Sequence, residues 1–203
     1  MILITGLGNP GKEYEKTPHN MGFWVLDYFK ARYFPSKDWA RERTLIDLTT
    51  EELALMKPLQ YMNRSGFTIK NYMETNGISP ENLWVVHDEF DLLWGEVKVD
   101  FDRSSAGHKG VQSIIDELGT QKFWRFRVGV KPAQELAIPL DEYLTKTTEN
   151  ITEKQEEELL STITALLFKA IKDGIDKTRI TIHGNISFPA RDLPRGGSCS
   201  IIE

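Results

Sequence analysis

Cysteine is almost missing from this chain: Cys199 is the only one in 203 residues. That excludes a disulfide framework and a metal site built on thiolates. Cys199 also stands fifth from the end, one place too early for a prenylation box. No apolar run approaches the ~20 residues that a membrane span needs. The first residues already have strand character, so no secretory signal is visible and a cytoplasmic location is expected. A general excess of positive charge is lacking too. The net charge is −5, which disfavours an indiscriminate polyanion binder. There is no internal repeat, and no linker calls for two domains.

What is present is enough chain for one domain with a sizeable core. The expected organisation is an α/β domain over residues 1–188 and a mobile tail over 189–203, rich in Pro, Gly, Ser and Arg. Ile2 to Thr5 reads as a buried strand. Met21, Trp24, Val25, Tyr28 and Phe29 follow the helical period from about Asn20, a plausible N-cap, to Tyr33. Two strands around a turn near Thr50 are expected between Thr44 and Met56, then a helix to about Glu74. For Asn63 the plainest reading is the N-cap of that helix. Leu83 to Val86 is the clearest buried strand. Strands also fit Gly95–Phe101, Phe123–Val130 and Arg179–Ile182, with a short helix from Val111 and a long one over Thr152–Asp173. Strands alternating with helices predict a single mixed β-sheet with helices on both faces.

Three stretches invite a site. Gly6, Gly8 and Gly11 spell G-x-G-x-x-G after a strand, the pattern of a dinucleotide fold. That pattern works only when a helix opens at once onto the pyrophosphate. Here Pro10 and the polar run Lys12 to Lys16 delay the helix, and no acidic residue follows at the ribose-binding distance. Nucleotide binding is therefore set aside. The second stretch is His87-Asp88-Glu89-Phe90-Asp91, ionisable groups following a buried strand, where open α/β sheets bind ligands. The third is the window Lys98–Lys131, with seven Lys or Arg against four acids inside an acidic chain. A local basic surface of that kind is compatible with a nucleic-acid partner.

Taken in order, these blocks resemble the bacterial-type peptidyl-tRNA hydrolase family. The similarity lies in Gly6-Leu7-Gly8-Asn9-Pro10-Gly11 with Tyr14 and His19-Asn20-x-Gly22-Phe23. It continues in Lys57-Pro58 with Met62-Asn63-x-Ser65-Gly66, in His87-Asp88-Glu89-x-Asp91-Leu92, in Gly107-His108-x-Gly110 and in Arg125-x-Arg127-Val128-Gly129. Five blocks in register cover roughly residues 2–132, and the long helix has a counterpart as well.

The resemblance implies an esterase that cuts peptide from the terminal ribose of tRNA, without metal or cofactor, usually as a monomer. It implies His19 as general base, oriented by Asp88, a role that suits an imidazole titrating near neutrality. It gives Asn9 and Asn63 the task of holding the peptide, and Asn63 that of donating to the developing oxyanion. It places Tyr14, Tyr61, Lys98, His108, Lys109 and Arg127 among the substrate- and tRNA-binding residues, with Lys98 and Arg127 as phosphate-binding cations. Beside the resemblance, His87 and His108 each remain readable as site groups or as hydrogen-bonded structural histidines.

The chain also departs from the family pattern. Pro18 replaces an Arg before the histidine, and Lys109 replaces an Asn after Gly107-His108. The loop Asp102 to Ser105 is altered, Asp100 stands where a second cation is common, and Gly129–Pro132 is one residue short. A lysine beside His19 would disfavour imidazolium. The alternative expectation is therefore a weakened or inactive relative that acts as an RNA-binding or adaptor protein.

Overall fold

The structure is a computed structural model that describes residues 1–146, 151–178 and 181–182. In chain order it runs β1 (Ile2–Gly6), α1 (Met21–Tyr33), β2 (Ala40–Arg41), β3 (Leu45–Thr49), β4 (Leu53–Pro58), α2 (Ser65–Thr75) and β5 (Leu83–Leu93). Then follow β6 (Val97–Phe101), α3 (Lys109–Leu118), β7 (Trp124–Lys131), α4 (Leu140–Thr145), α5 (Glu153–Asp173) and β8 (Thr181–Ile182). The strands form one sheet in the order β2-β3-β4-β1-β5-β7-β6-β8. The four central strands β4, β1, β5 and β7 are parallel, and the flanking pairs are antiparallel. This is the expected mixed sheet.

Strand alternation sorts the core into two layers. Ile4, Trp84, Val86, Phe126 and Val128 point to the face covered by α1 and α5. Leu3, Ala54, Met56, Leu83 and Val85 point to the face covered by α2 and α3. A residue that shifts by one place changes layer, so burial on both faces pins the register. On α5 a capping box between Thr152 and Gln155 starts the helix. The stripe Leu160, Ile163, Leu167 and Ala170 is buried as its periodicity predicts, and Ile171 is partly buried against it. No described helix is long and apolar enough to cross a membrane.

The connection from β1 leads through α1 to β4 on one side. The connection from β4 leads through α2 to β5 on the other. The chain thus reverses direction across the sheet at the carboxyl end of β1, the position where open α/β sheets form a ligand crevice.

Several expectations need correction. The cluster His87 to Asp91 does not follow the strand but lies within it: β5 continues to Leu93, held by β7 at His87↔Arg127, Asp88↔Val128 and Glu89↔Gly129. α3 begins at Lys109, two residues early, because His108 caps it. Asn20 precedes α1 but makes no side-chain cap, and Asn63 lies in a 3₁₀ turn (Met62–Arg64) ahead of α2. The strand β2 and the helix α4 escape the sequence pattern altogether. Of the expected last strand, Thr181 and Ile182 are described and residues 179–180 are not. The expected tail, 189–203, lies outside the described residues.

Candidate active site

The glycines at the end of β1 act first through close approach. A Cβ on Gly6 would lie 2.2 Å from the Gly22 carbonyl oxygen, and one on Gly22 would lie 2.3 Å from the Leu7 nitrogen. Only bare backbone lets α1 sit this close to the end of β1. The short 3₁₀ turn Pro18–Asn20 runs into α1, so His19 is delivered to the crevice between β1 and β5.

There His19 meets Asp88. β1 ends with Gly6 paired to Val86, so β5 projects beyond it and carries Asp88 into the crevice. His19 Nδ1 lies 2.9 and 3.0 Å from the two Asp88 oxygens. An ionised carboxylate only accepts, so Nδ1 carries the proton and Nε2 keeps its lone pair. Among the described residues no protein group engages that Nε2. Asp88 is 2% exposed and is shared: His108 Nε2 donates to its Oδ1 at 3.0 Å. His108 Nδ1 in turn accepts from the backbone N–H groups of Gly110 and Val111, the start of α3. One helix cap therefore fixes the tautomer of His108 and, through it, the Asp88 carboxylate.

The electrostatics follow from this packing. Burial opposes charge on His19, but the Asp88 carboxylate outweighs it and raises the imidazole above its ordinary value. Burial would raise the Asp88 carboxyl; His108 and His19 override it and hold that carboxyl well below the usual range. His87 is different. Burial, reinforced by His108, pushes it well below the ordinary imidazole range, so it stays neutral. Its Nδ1 donates to the Asp88 backbone carbonyl at 2.7 Å, while its Nε2 is buried without a partner among the described residues. It is thus packed behind the site, edge-on to the His108 ring at 4.7 Å.

The two asparagines differ. Asn9 is 8% exposed, and its Oδ1 accepts from the Met62 N–H at 2.8 Å. Among the described residues nothing accepts from the Asn9 Nδ2 donor. The Asn20 side chain holds the Asn9 backbone from both sides, accepting from its N–H at 2.7 Å and donating to its carbonyl at 3.1 Å. So Asn20, read from sequence as a helix cap, is instead a brace for the glycine loop. Asn63 is exposed at the cavity wall.

Asn9, His19, Tyr61, Asn63, Asp88, His108 and Lys109 all line one cavity of about 880 Å³. Arg64, Phe90 and, from α4, Leu140, Asp141 and Leu144 are also part of its lining. The sequence offered no sign of α4, whose short helical stretch carries too few apolar positions to show a period. Tyr61 is 60% exposed at the rim. Lys109 is exposed and pairs with Asp141 at 3.5 Å. Its charge disfavours imidazolium at His19, and Asp141 acts in the opposite sense.

Three expected binding residues lie outside this cavity. Tyr14 is half-buried in a 3₁₀ turn, where its carbonyl accepts from the Thr17 hydroxyl at 2.9 Å. Lys98 is half-buried on β6 opposite Arg127. Arg127 is itself buried: its Nε donates to Glu89 at 2.9 Å and its Nη1 to Asp100 at 2.7 Å. Asp100, which stands where a second cation was looked for, is thus the partner that ties Arg127 into the sheet. Removing a cation from such a buried network leaves its carboxylates uncompensated, typically at a cost of about 3–5 kcal/mol. Arg127→Met is therefore expected to lower the urea midpoint of unfolding at unchanged slope; a midpoint equal to wild type would place the ion pairs at the surface.

His19, Asp88 and His108 also present ligand atoms within 4.8 Å of one another, as a metal site would. The 2.9–3.0 Å nitrogen–oxygen contacts are hydrogen bonds, however, and an ion would have to displace both N–H protons. The arrangement is that of a carboxylate orienting two imidazoles.

Known proteins share this architecture. The crystal structure of peptidyl-tRNA hydrolase from Acinetobacter baumannii superposes with a TM-score of 0.76 at 23% identity, over 88% of this chain and 92% of that one. It shares the fold. The peptidyl-tRNA hydrolase of Thermodesulfovibrio yellowstonii is 36% identical over 191 residues, 87% of this chain and 96% of the relative. That of Geobacillus kaustophilus is 43% identical over 137 residues, 66% of this chain and 74% of the relative. The family model described as peptidyl-tRNA hydrolase matches residues 3–188, nearly the full length. The chain belongs to the peptidyl-tRNA hydrolase family.

Proposed function

We propose that this protein hydrolyses the ester between a peptide, or an N-blocked amino acid, and the terminal ribose of tRNA. The observation that carries the reading is the buried His19–Asp88 pair with His19 Nε2 uncommitted at the cavity. His19 Nε2 takes a proton from water as the oxygen attacks the ester carbonyl. Asp88 holds the tautomer and stabilises the imidazolium that forms. The Asn9 Nδ2 and the Asn63 amide hold the peptide, and Asn63 donates to the oxyanion. The imidazolium then returns its proton to the departing ribose oxygen, giving the peptide acid and free tRNA.

Lys109 and the exposed Arg64 at the cavity are the cations best placed for tRNA phosphates. Contacts of this kind give salt-sensitive binding without base readout. The same reading carries a monomeric, cytoplasmic enzyme that uses neither metal nor cofactor.

The test is release of an N-blocked amino acid from its tRNA, with and without EDTA. Cleavage that persists in EDTA is expected. Binding of tRNA with no cleavage at any pH would favour the RNA-binding adaptor instead.

A further inference from the structure

The cavity mouth carries an ion pair that the hydrolytic chemistry does not use. Lys109 opens α3 and Asp141 lies in the first turn of α4, and their charged atoms are 3.5 Å apart across the mouth. Both line the cavity that holds His19. The backbone donors of Gly110 and Val111 are taken by His108, so the charge that this end of α3 offers an anion is the Lys109 ammonium. Asp141 is held in place by its helix. Tyr143 Oη donates to the Val130 carbonyl at 2.7 Å, and the Tyr143 ring packs edge-on to Phe90. The pair itself is loose: the two side chains are 64% and 83% exposed.

An anchored carboxylate resting on an exposed ammonium beside the catalytic histidine is an anion in the position that a ligand anion would take. We propose that Asp141 is an intramolecular competitor for a phosphate subsite headed by Lys109. Substrate binding then exchanges one carboxylate on Lys109 for one phosphate of the tRNA 3′ end. This rests on the tRNA reading given above. The exchange makes Asp141 a brake on binding, set by this chain's Lys109 and Asp141 together. A water-exposed pair of this type shifts an equilibrium by about fivefold at most, so the brake is light and readily reversed.

A four-protein cycle tests it: wild type, Asp141→Asn, Lys109→Met and the double variant. Two readouts are needed, affinity for deacylated tRNA by fluorescence anisotropy and KM for N-blocked aminoacyl-tRNA. Asp141→Asn is expected to tighten tRNA binding and lower KM by about threefold, the scale of an exposed ion pair. Lys109→Met should weaken both, and in that background Asp141→Asn should have no effect. An equal gain in both backgrounds would mean that Asp141 merely repels tRNA, and would overturn the exchange. No gain in either background would overturn it too, and would reduce the pair to a clasp for α4. Absence of ester cleavage by wild type is a separate failure, that of the hydrolase reading, and the anisotropy cycle still decides the exchange.

Discussion

His19→Ala is expected to lower kcat by about 10²–10⁴, the usual worth of a positioned general base, with a fall in melting temperature that is small above the folded His19 pKa and larger below it. The imidazole is buried, yet its removal leaves Asp88 still held by His108, so the carboxylate is not stranded. The matching pH profile has a definite sign. In the proposed mechanism the base form is the active one, and Asp88 raises the His19 pKa. The rate should therefore climb through a single group lying above the ordinary imidazole value of about 6.5, then level off. Steady-state kinetics from pH 5 to 9 measure both effects. A variant within threefold of wild type, or a rate that falls as His19 deprotonates, would remove His19 from the role of base.

Asp88→Asn should cost as much or more. Asp88 accepts from two imidazoles at once, which needs a carboxylate with two acceptor oxygens. An amide has one acceptor oxygen and presents N–H donors to the other ring. One histidine must then switch tautomer or lose its bond, and the like substitution in serine-protease triads costs about 10⁴ in kcat. The pH profile should move to lower pH as well, because the charge that raised His19 is gone. A large fall in kcat with an unmoved profile would point to displacement of the ring rather than to lost electrostatics.

The same pair sets the pH dependence of stability. Asp88 is depressed in the fold, so its contribution is present above its unfolded value of about 4 and is lost as acid protonates it. His19 is raised, so its contribution is full below about 6.5 and fades as pH rises through its folded value. Both act together between those limits, while the base form that the proposed mechanism uses lies above them. The pH of greatest stability from this pair is thus expected to lie below the pH of greatest activity.

The sheet class and the glycine loop were legible because their signals are local: apolar runs, glycine density and alternation. His19, Asn9, Asn63 and Asp88 stood out through ordered motifs, and the structure gathers all four at one cavity. What escaped depends on partners far along the chain. His87, Asp88 and Glu89 look like polar residues following a strand until Arg127 and two histidines are seen to receive them inside it. Arg127 looked like a surface cation because nothing local announces that Glu89 and Asp100 enclose it. His108 looked ambiguous because a histidine N-cap is rare, and its cap is what moved the start of α3. Lys109 raised the expectation of a weakened site, yet its offsetting partner lies on a helix with no visible pattern.

The bridging of distant segments at the end of β1 has a consequence for how the protein comes into being. His19 and Asp88 are 69 residues apart in sequence, and Asn9 and Met62 are 53 apart. None of these contacts can form from a local hairpin or a single helix. Each waits on long-loop closure, the slow part of assembling parallel strands. A nascent chain that has reached the turn after β4 already holds Asn9, His19 and Asn63 but lacks Asp88, the carboxylate that receives His19. The His19–Asp88 pair therefore forms only once β5 has joined β1, so turnover by the proposed mechanism would mark at least that step of folding.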